Sequence, residues 1–180
     1  RHLTYSCFAE ITFANTRVIA VGVSNGGGAV LRAAEMPGEW LDGVVAVSPQ
    51  TWFGAWYRDE RNQIPAFPAK PEAFLRMYAE YQIPEEQKQA WIADRSGILI
   101  GRALADLYGW KVGDTVPLRS AIWRKQDGSD TWDVTVRAIF DLPGGGDTRN
   151  IILHQDYFEE AKSVGKGLIG WYLVQIDDPN

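Results

Sequence analysis

Apolar residues along this chain come in short runs whose spacing changes from place to place, most clearly between Gly97 and Leu118. Ile98, Leu99 and Ile100 follow the polar Asp94-Arg95-Ser96 without a break and read as a strand. Ala103, Leu104 and Leu107 then recur at helical spacing, and Gly109 stands where a left-handed helix cap is wanted. The pattern predicts a strand near 97–100, a helix over 102–108, a turn at Lys111-Val112-Gly113-Asp114 and a new strand from Thr115. Pro117 cannot donate to a ladder, so that strand is expected at an edge or at a bulge.

Upstream, residues 1–15 alternate weakly and predict a strand or an irregular lead-in. The β-branched stretch Thr16 to Val23 predicts a buried strand, Ala29 to Glu35 a helix, and Gly43 to Val47 a second buried strand. That order predicts a β-α-β unit in a parallel sheet. Arg58 to Lys70 is polar, contains prolines and predicts a loop. Pro71 opens a helix over 71–82 with Phe74, Leu75, Tyr78 and Tyr81 on one face. Pro84-Glu85-Glu86 opens another over 84–94, its acidic residues in the first turn where the helix dipole favours them.

The strand from Thr115 is expected to continue to 123, with Asp127-Gly128 turning a hairpin. Over 131–140, Trp132, Val134, Val136, Ala138 and Phe140 fall on one face of a half-buried strand. A strand near 150–154, a helix over 156–164 capped by Asp156 and a last strand over 170–176 complete the pattern. Pro143-Gly144-Gly145-Gly146 is a flexible break, and a strand rather than a helix follows it, which argues against a phosphate cradle.

The composition, 46% hydrophobic and 23% charged over 180 residues, is that of a globular protein with one good core or two small ones. A net charge of -5 with dispersed Lys and Arg argues against nucleic acid as a partner. The single Cys7 excludes an intrachain disulfide, and His2 and His154 are too few for a typical zinc site, so neither metal nor cofactor is expected. The longest apolar runs, Val18 to Val23 and Gly43 to Val47, are too short to cross a bilayer. Arg1 at the start, with no signal-peptide pattern behind it, reads as a piece of a longer chain.

One stretch looks chemical. Gly22-Val23-Ser24-Asn25-Gly26 fits G-x-S-x-G between a predicted strand and a predicted helix. Its glycines permit a turn that holds Ser24, the candidate nucleophile, at its tip, while the N–H of Asn25 is the candidate oxyanion donor. The plainer reading is a glycine-rich turn in close packing, although Ser48-Pro49 stands where a nucleotide fold would carry an acidic residue. ANTRVIAVGVSNGGGAVLRAAE, followed by WLDGVVAVSPQ, resembles the nucleophile region of D-3-hydroxybutyrate oligomer hydrolases, esterases of the α/β-hydrolase type. That resemblance covers residues 1–50 and implies an acid and then a histidine later in the chain. His154 is the one downstream histidine, and Asp141 or Asp147 are unspecific candidates for the acid.

From Thr51 onward a second resemblance carries further. TWFGAWYRDERN, ADRSGILIGRALADLYGWKVGDTVPL, TWDVTVRAIFD, HQDYFEEA and GWYLVQIDDP, in that order, resemble the extracytoplasmic domain of ABC-transporter permeases of the FtsX-like, macrolide-exporter (MacB) class. The resemblance implies a domain without an active site, inserted between the first and second membrane helices on the extracytoplasmic side of a bacterial inner membrane. Its expected partners are other transporter subunits or an extracytoplasmic protein. The fold class expected is an α/β fragment with a nucleophile elbow over 1–50, joined to a mixed α+β domain of the permease periplasmic type over 51–180.

The two resemblances meet near Ser48 without a linker, whereas a natural fusion keeps whole domains and a flexible joint, so the junction reads as recent or artefactual. The expected function is non-catalytic, transmitting or partner-binding. The aromatic cluster Trp52, Phe53, Trp56 and Tyr57 is a hypothetical contact surface, with core packing as the plainer reading. The alternative is an esterase acting on 3-hydroxybutyrate oligomers through Ser24.

Overall fold

A computed structural model describes residues 9–10, 17–20, 44–168 and 170–176, which fall into two compact units, 1–51 with 168–180, and 52–167. The first unit is a sheet of β1 (Ala9–Glu10), β2 (Arg17–Ala20), β3 (Val44–Gln50) and the last strand of the chain, β11 (Trp171–Ile176). Its order is β1-β2-β11-β3 and every neighbouring pair is antiparallel.

This corrects two expectations. β2 and β3 do not neighbour each other in a parallel sheet, because β11 lies between them and pairs antiparallel with both. The strand-helix-strand pattern reports local order only, and a strand distant in sequence can take the central position. β11 itself belongs here and not in the sheet of the larger unit. β3 runs through the residues where the two resemblances meet, with Ser48 opposite Leu173 and Val47 opposite Val174. The helix expected at 29–35 lies outside the described residues.

The second unit comprises β4 (Ala55–Tyr57), β5 (Asp59–Ile64), β6 (Ala66–Ala69), α1 (Pro71–Met77), α2 (Glu85–Ala93), β7 (Gly97–Gly101), α3 (Arg102–Tyr108), β8 (Thr115–Ser120), β9 (Thr131–Phe140), β10 (Ile151–His154) and α4 (Gln155–Ala161). Strand order is β5-β4-β8-β9-β7-β10-β6, parallel at β7/β9 and β10/β6 and antiparallel elsewhere. The two ends of that order are one strand, since only Pro65 separates β5 from β6. Ile64 pairs with Ala55, the N–H of Phe53 donates to the carbonyl of Ala66 at 3.0 Å, and Ala66 pairs with Ile151 on its other side. The sheet therefore closes on itself as a small barrel.

The segment 58–70, expected as a loop, is mostly strand. Its first half, DERNQI, exposes nearly every side chain, so burial leaves no alternation to read, and Pro65 and Pro68 mimic breakers. Pro117 lies where the strand is locally an edge, opposite Asp133, because β4 pairs with β8 only at Arg119 and Ser120.

All six strand positions contribute to one core cluster, which is therefore the barrel interior: Ala55, Ala66, Ile98, Val116, Val134 and Ile151 are examples, closed off by Leu104 of α3 and Phe158 of α4. A second cluster lies on the outside, where Leu99, Ala138, Phe140 and Ile152 are covered by Phe74 of α1 and Trp91 of α2. β7 and β10 are buried on both sides and read as unbroken apolar runs for that reason.

β9 does not keep one face. Its register against β7 slips at Arg137, where Ile98 pairs with Val136 but Leu99 pairs with Ala138. One extra residue reverses the direction of every later side chain, so Trp132, Val134 and Val136 point inward while Ala138 and Phe140 join the outer cluster. Arg137 donates from Nε to Asp94 Oδ2 at 2.7 Å, and Asp94 Oδ1 accepts from the N–H and hydroxyl of Ser96. Burial pushes the Asp94 carboxyl up, but these bonds outweigh it and hold the group below the usual carboxylate range.

Helix α3 has the expected bounds, and Gly109 adopts the left-handed conformation at φ 70 and ψ 22. α1 ends at Met77, short of the expected 82. α4 starts with His154 as its N-cap, and Asp156 lies in the first turn without capping it, favouring the helix through its dipole alone.

Candidate functional site

Ser24 and Asn25, the candidate nucleophile and oxyanion donor, lie outside the described residues, as do His2 and Cys7. The residues proposed to complete a triad are described. His154 ends β10 and is buried, and its Nε2–H donates to the carbonyl of Trp91 at 2.6 Å, which ties the barrel wall to α2. Asp141 receives Nε and Nη2 of Arg102 at 3.1 and 3.0 Å, and Asp147 receives the same atoms of Arg149 at 3.0 and 3.4 Å. In each case the arginine holds the carboxyl below its ordinary range. Among the described residues no group of three His, Cys, Asp or Glu is placed to hold a metal, and no helix is long and apolar enough to cross a membrane.

The aromatic cluster divides into separate roles. Phe53 is fully buried in the barrel, edge-on to Trp132 at 5.2 Å and Phe158 at 5.9 Å. Tyr57 packs against Tyr108 and Trp110, and Trp56 lies under the Arg119 guanidinium at 4.5 Å. Trp52 alone is well exposed, at 39%, and with Ile122 at 54% it flanks Gly54. The four residues do not form one surface.

A better formed site lies on the larger unit between the bent strand and α3. It is a groove of about 630 Å³ lined by Arg61–Pro65 on one side, Leu104, Leu107 and Tyr108 of α3, and Asp147 and Arg149 opposite. Its origin is a hydrogen-bonding problem. α3 begins at Gly101, which offers no side-chain cap, so its free N–H groups need an acceptor from elsewhere. Thr148, 45 residues on, supplies it: its hydroxyl accepts from the N–H of Ala103 at 3.0 Å, and the carbonyl of Asn150 accepts from that of Gly101 at 3.1 Å. β10 reaches the bent strand from Ile151 onward, whose N–H donates to the Pro65 carbonyl at 2.9 Å, and the groove opens beside Arg61–Ile64.

The approach at Gly101 is tight: a Cβ there would overlap the Thr148 carbonyl oxygen and stand 2.5 Å from the carbonyl carbon. The rim carries one local motif twice. In Asp59-Glu60-Arg61 and in Asp147-Thr148-Arg149, the aspartate accepts from the backbone N–H of the arginine two residues on, at 3.0 and 2.9 Å, and from its guanidinium. One wall of this groove, within 58–70, reads as a loop in the sequence. The repeated Asp-x-Arg spacing was the one sign available.

No family model matches the chain, and no curated protein matches it in sequence. Among solved structures, it resembles the extracellular domain of the noncanonic ABC-type transporter YknZ from Gram-positive bacteria, with a TM-score of 0.54 and 12% identity, over 89% of this chain and 83% of that one. It also aligns with a domain of a candidate permease protein from Porphyromonas gingivalis at 22% identity and a TM-score of 0.49, over 79% of this chain and 65% of that chain's length. The hydrolase resemblance of residues 1–50 has no counterpart in these likenesses. The chain shares a sheet-dominated, mixed α+β fold with the extracellular domain of a transporter.

Proposed function

We propose that this chain is an extracytoplasmic, non-catalytic domain of an ABC-transporter permease, working by contact with other transporter subunits or with an extracytoplasmic protein. The observation that carries the reading is the pairing of β2 with β11, which sets Arg17 opposite Gln175. A domain inserted between two membrane helices has to return its chain to the place it left, and an antiparallel pair made from the strand entering and the strand leaving does this. The fold shared with the YknZ extracellular domain supports the same reading. Chemistry is the weaker reading, because His154 is tied to the Trp91 carbonyl, and Asp141 and Asp147 each bind an arginine.

The esterase alternative is tested on the chain itself. The chain and its Ser24→Ala variant are expected to turn over a 4-nitrophenyl ester and a 3-hydroxybutyrate oligomer at the same background rate. Turnover that disappears with the serine would establish the esterase in place of this proposal.

A further inference from the structure

Among the described residues Lys162 is the only Lys, Arg, Asp or Glu that is buried, and it is buried completely. It follows the last residue of α4, and the segment between β8 and β9 closes over that end of the helix. Gln126 donates its backbone N–H to the carbonyl of Ala161 at 2.9 Å, Ser163 donates to that of Arg124 at 2.8 Å, and Lys125 and Lys162 form an antiparallel bridge. A free carbonyl at the helix end is satisfied in this way, and the lysine is shut in. Its ammonium group bonds to Glu159 Oε1 at 2.5 Å and lies 4.6 Å from the ring centre of Phe158 and 5.1 Å from that of Trp123. A carboxylate and two aromatic faces are what a charge taken out of water requires.

Two further bonds lead from this cluster to the two ends of the unit 52–167. Glu159 Oε2 accepts from the N–H of Gly167, the last residue of the unit, at 2.8 Å. The indole N–H of Trp123 donates to the carbonyl of Trp52, the first, at 2.9 Å. Both bonds lie at the surface, where one hydrogen bond alone holds a chain end weakly, and each is made by a side chain that Lys162 touches. We infer that Lys162 is the pin of a latch that fastens both ends of this unit to α4, and that the latch opens while the barrel stays folded. Glu159 stays turned toward Gly167 because Lys162 holds its other oxygen, and Trp123 stays turned toward Trp52 because the lysine fills the space against its ring. The barrel is held separately, by its own ladders and by the apolar side chains inside it.

This inference rests on these contacts and not on the transporter reading, so the two can fail separately. The test is NMR relaxation and hydrogen exchange on the chain and two variants. In the parent, backbone order parameters at residues 164–167 are expected to match those of the barrel, about 0.85. Lys162→Met keeps an apolar side chain of similar length beside both rings and removes the charge, so that Glu159, one-quarter exposed, turns to water. Order parameters at 164–167 are then expected to fall below about 0.6, with amide exchange in β7 and β9 unchanged. Lys162→Ala also takes away the packing against Trp123, whose indole N–H is expected to exchange about tenfold faster or more than in Lys162→Met. Ordered residues 164–167 in Lys162→Met, lost protection of β7 and β9 in that variant, or an unchanged Trp123 indole in Lys162→Ala would each overturn the inference.

Discussion

Gly101→Ala is expected to destabilise the unit 52–167 by about 3–5 kcal/mol, the sum of backbone overpacking and the hydrogen bonds lost with it. The backbone at Gly101 is ordinary, with φ -79 and ψ 153, so the glycine is not needed for its conformational freedom. It is needed for space. The added methyl would meet the backbone of Thr148, which cannot rotate aside as a side chain could. Relief requires residues 147–150 to move off, and that removes both bonds that satisfy the first turn of α3. Gly109→Ala is the control. That glycine is left-handed at φ 70 with no atom within 4 Å of a Cβ, so alanine there should cost only about 1–2 kcal/mol of backbone strain. Urea unfolding of the two variants separates the cases, and equal midpoints would show that the Gly101–Thr148 contact is not tight.

Trp132→Ala is expected to cost about 3–5 kcal/mol, the range for truncating a large buried aromatic. Trp132 is fully buried in the barrel, in ring contact with Phe53, Tyr157 and Phe158, and its indole N–H donates to the carbonyl of Trp123 at 3.3 Å. Truncation leaves a cavity bounded by rings on α4 and the segment before β4, and orphans that carbonyl. Leu107→Ala removes a large side chain that is mostly in water, and its effect should stay within about 0.5 kcal/mol. Thermal unfolding of both variants checks the contrast. A small shift for Trp132→Ala would mean that the barrel interior is not the core of this unit.

The elements legible in the sequence are those whose causes are local. The strand 97–101 and the helix 102–108 follow from an apolar run, a change to helical spacing and a glycine cap, all within a dozen residues. The strand 131–140 was equally plain in extent, but its change of face was not. That change depends on the pairing of Ile98 and Leu99 across the bulge at Arg137, which no single strand records. β5 was hidden because its side chains face water. The partners of β11 were hidden because they lie at the other end of the chain. The groove combines two such effects: it needs an exposed strand, and a helix capped from 45 residues away. Of the candidate site, the sequence singled out Ser24 for its motif, while Arg61 and Arg149 carried only a repeated Asp-x-Arg spacing and Leu107 no sign at all.

The insertion reading depends on β2 and β11 being partners in one sheet, and an engineered disulfide tests this most directly. Two double variants are made in a Cys7→Ser background, Val18→Cys with Val174→Cys and Ile19→Cys with Leu173→Cys, each at facing positions in the register. Facing pairs in an antiparallel ladder alternate between hydrogen-bonded and non-hydrogen-bonded types, and the latter bring Cβ atoms close enough for an unstrained bridge. The account predicts that mild oxidation closes one of the two within a monomer, seen as faster migration on a non-reducing gel that reverses with reductant. Failure of both to close, in chains whose circular dichroism remains that of the parent, would contradict it and return residues 1–50 to the status of an unrelated fragment.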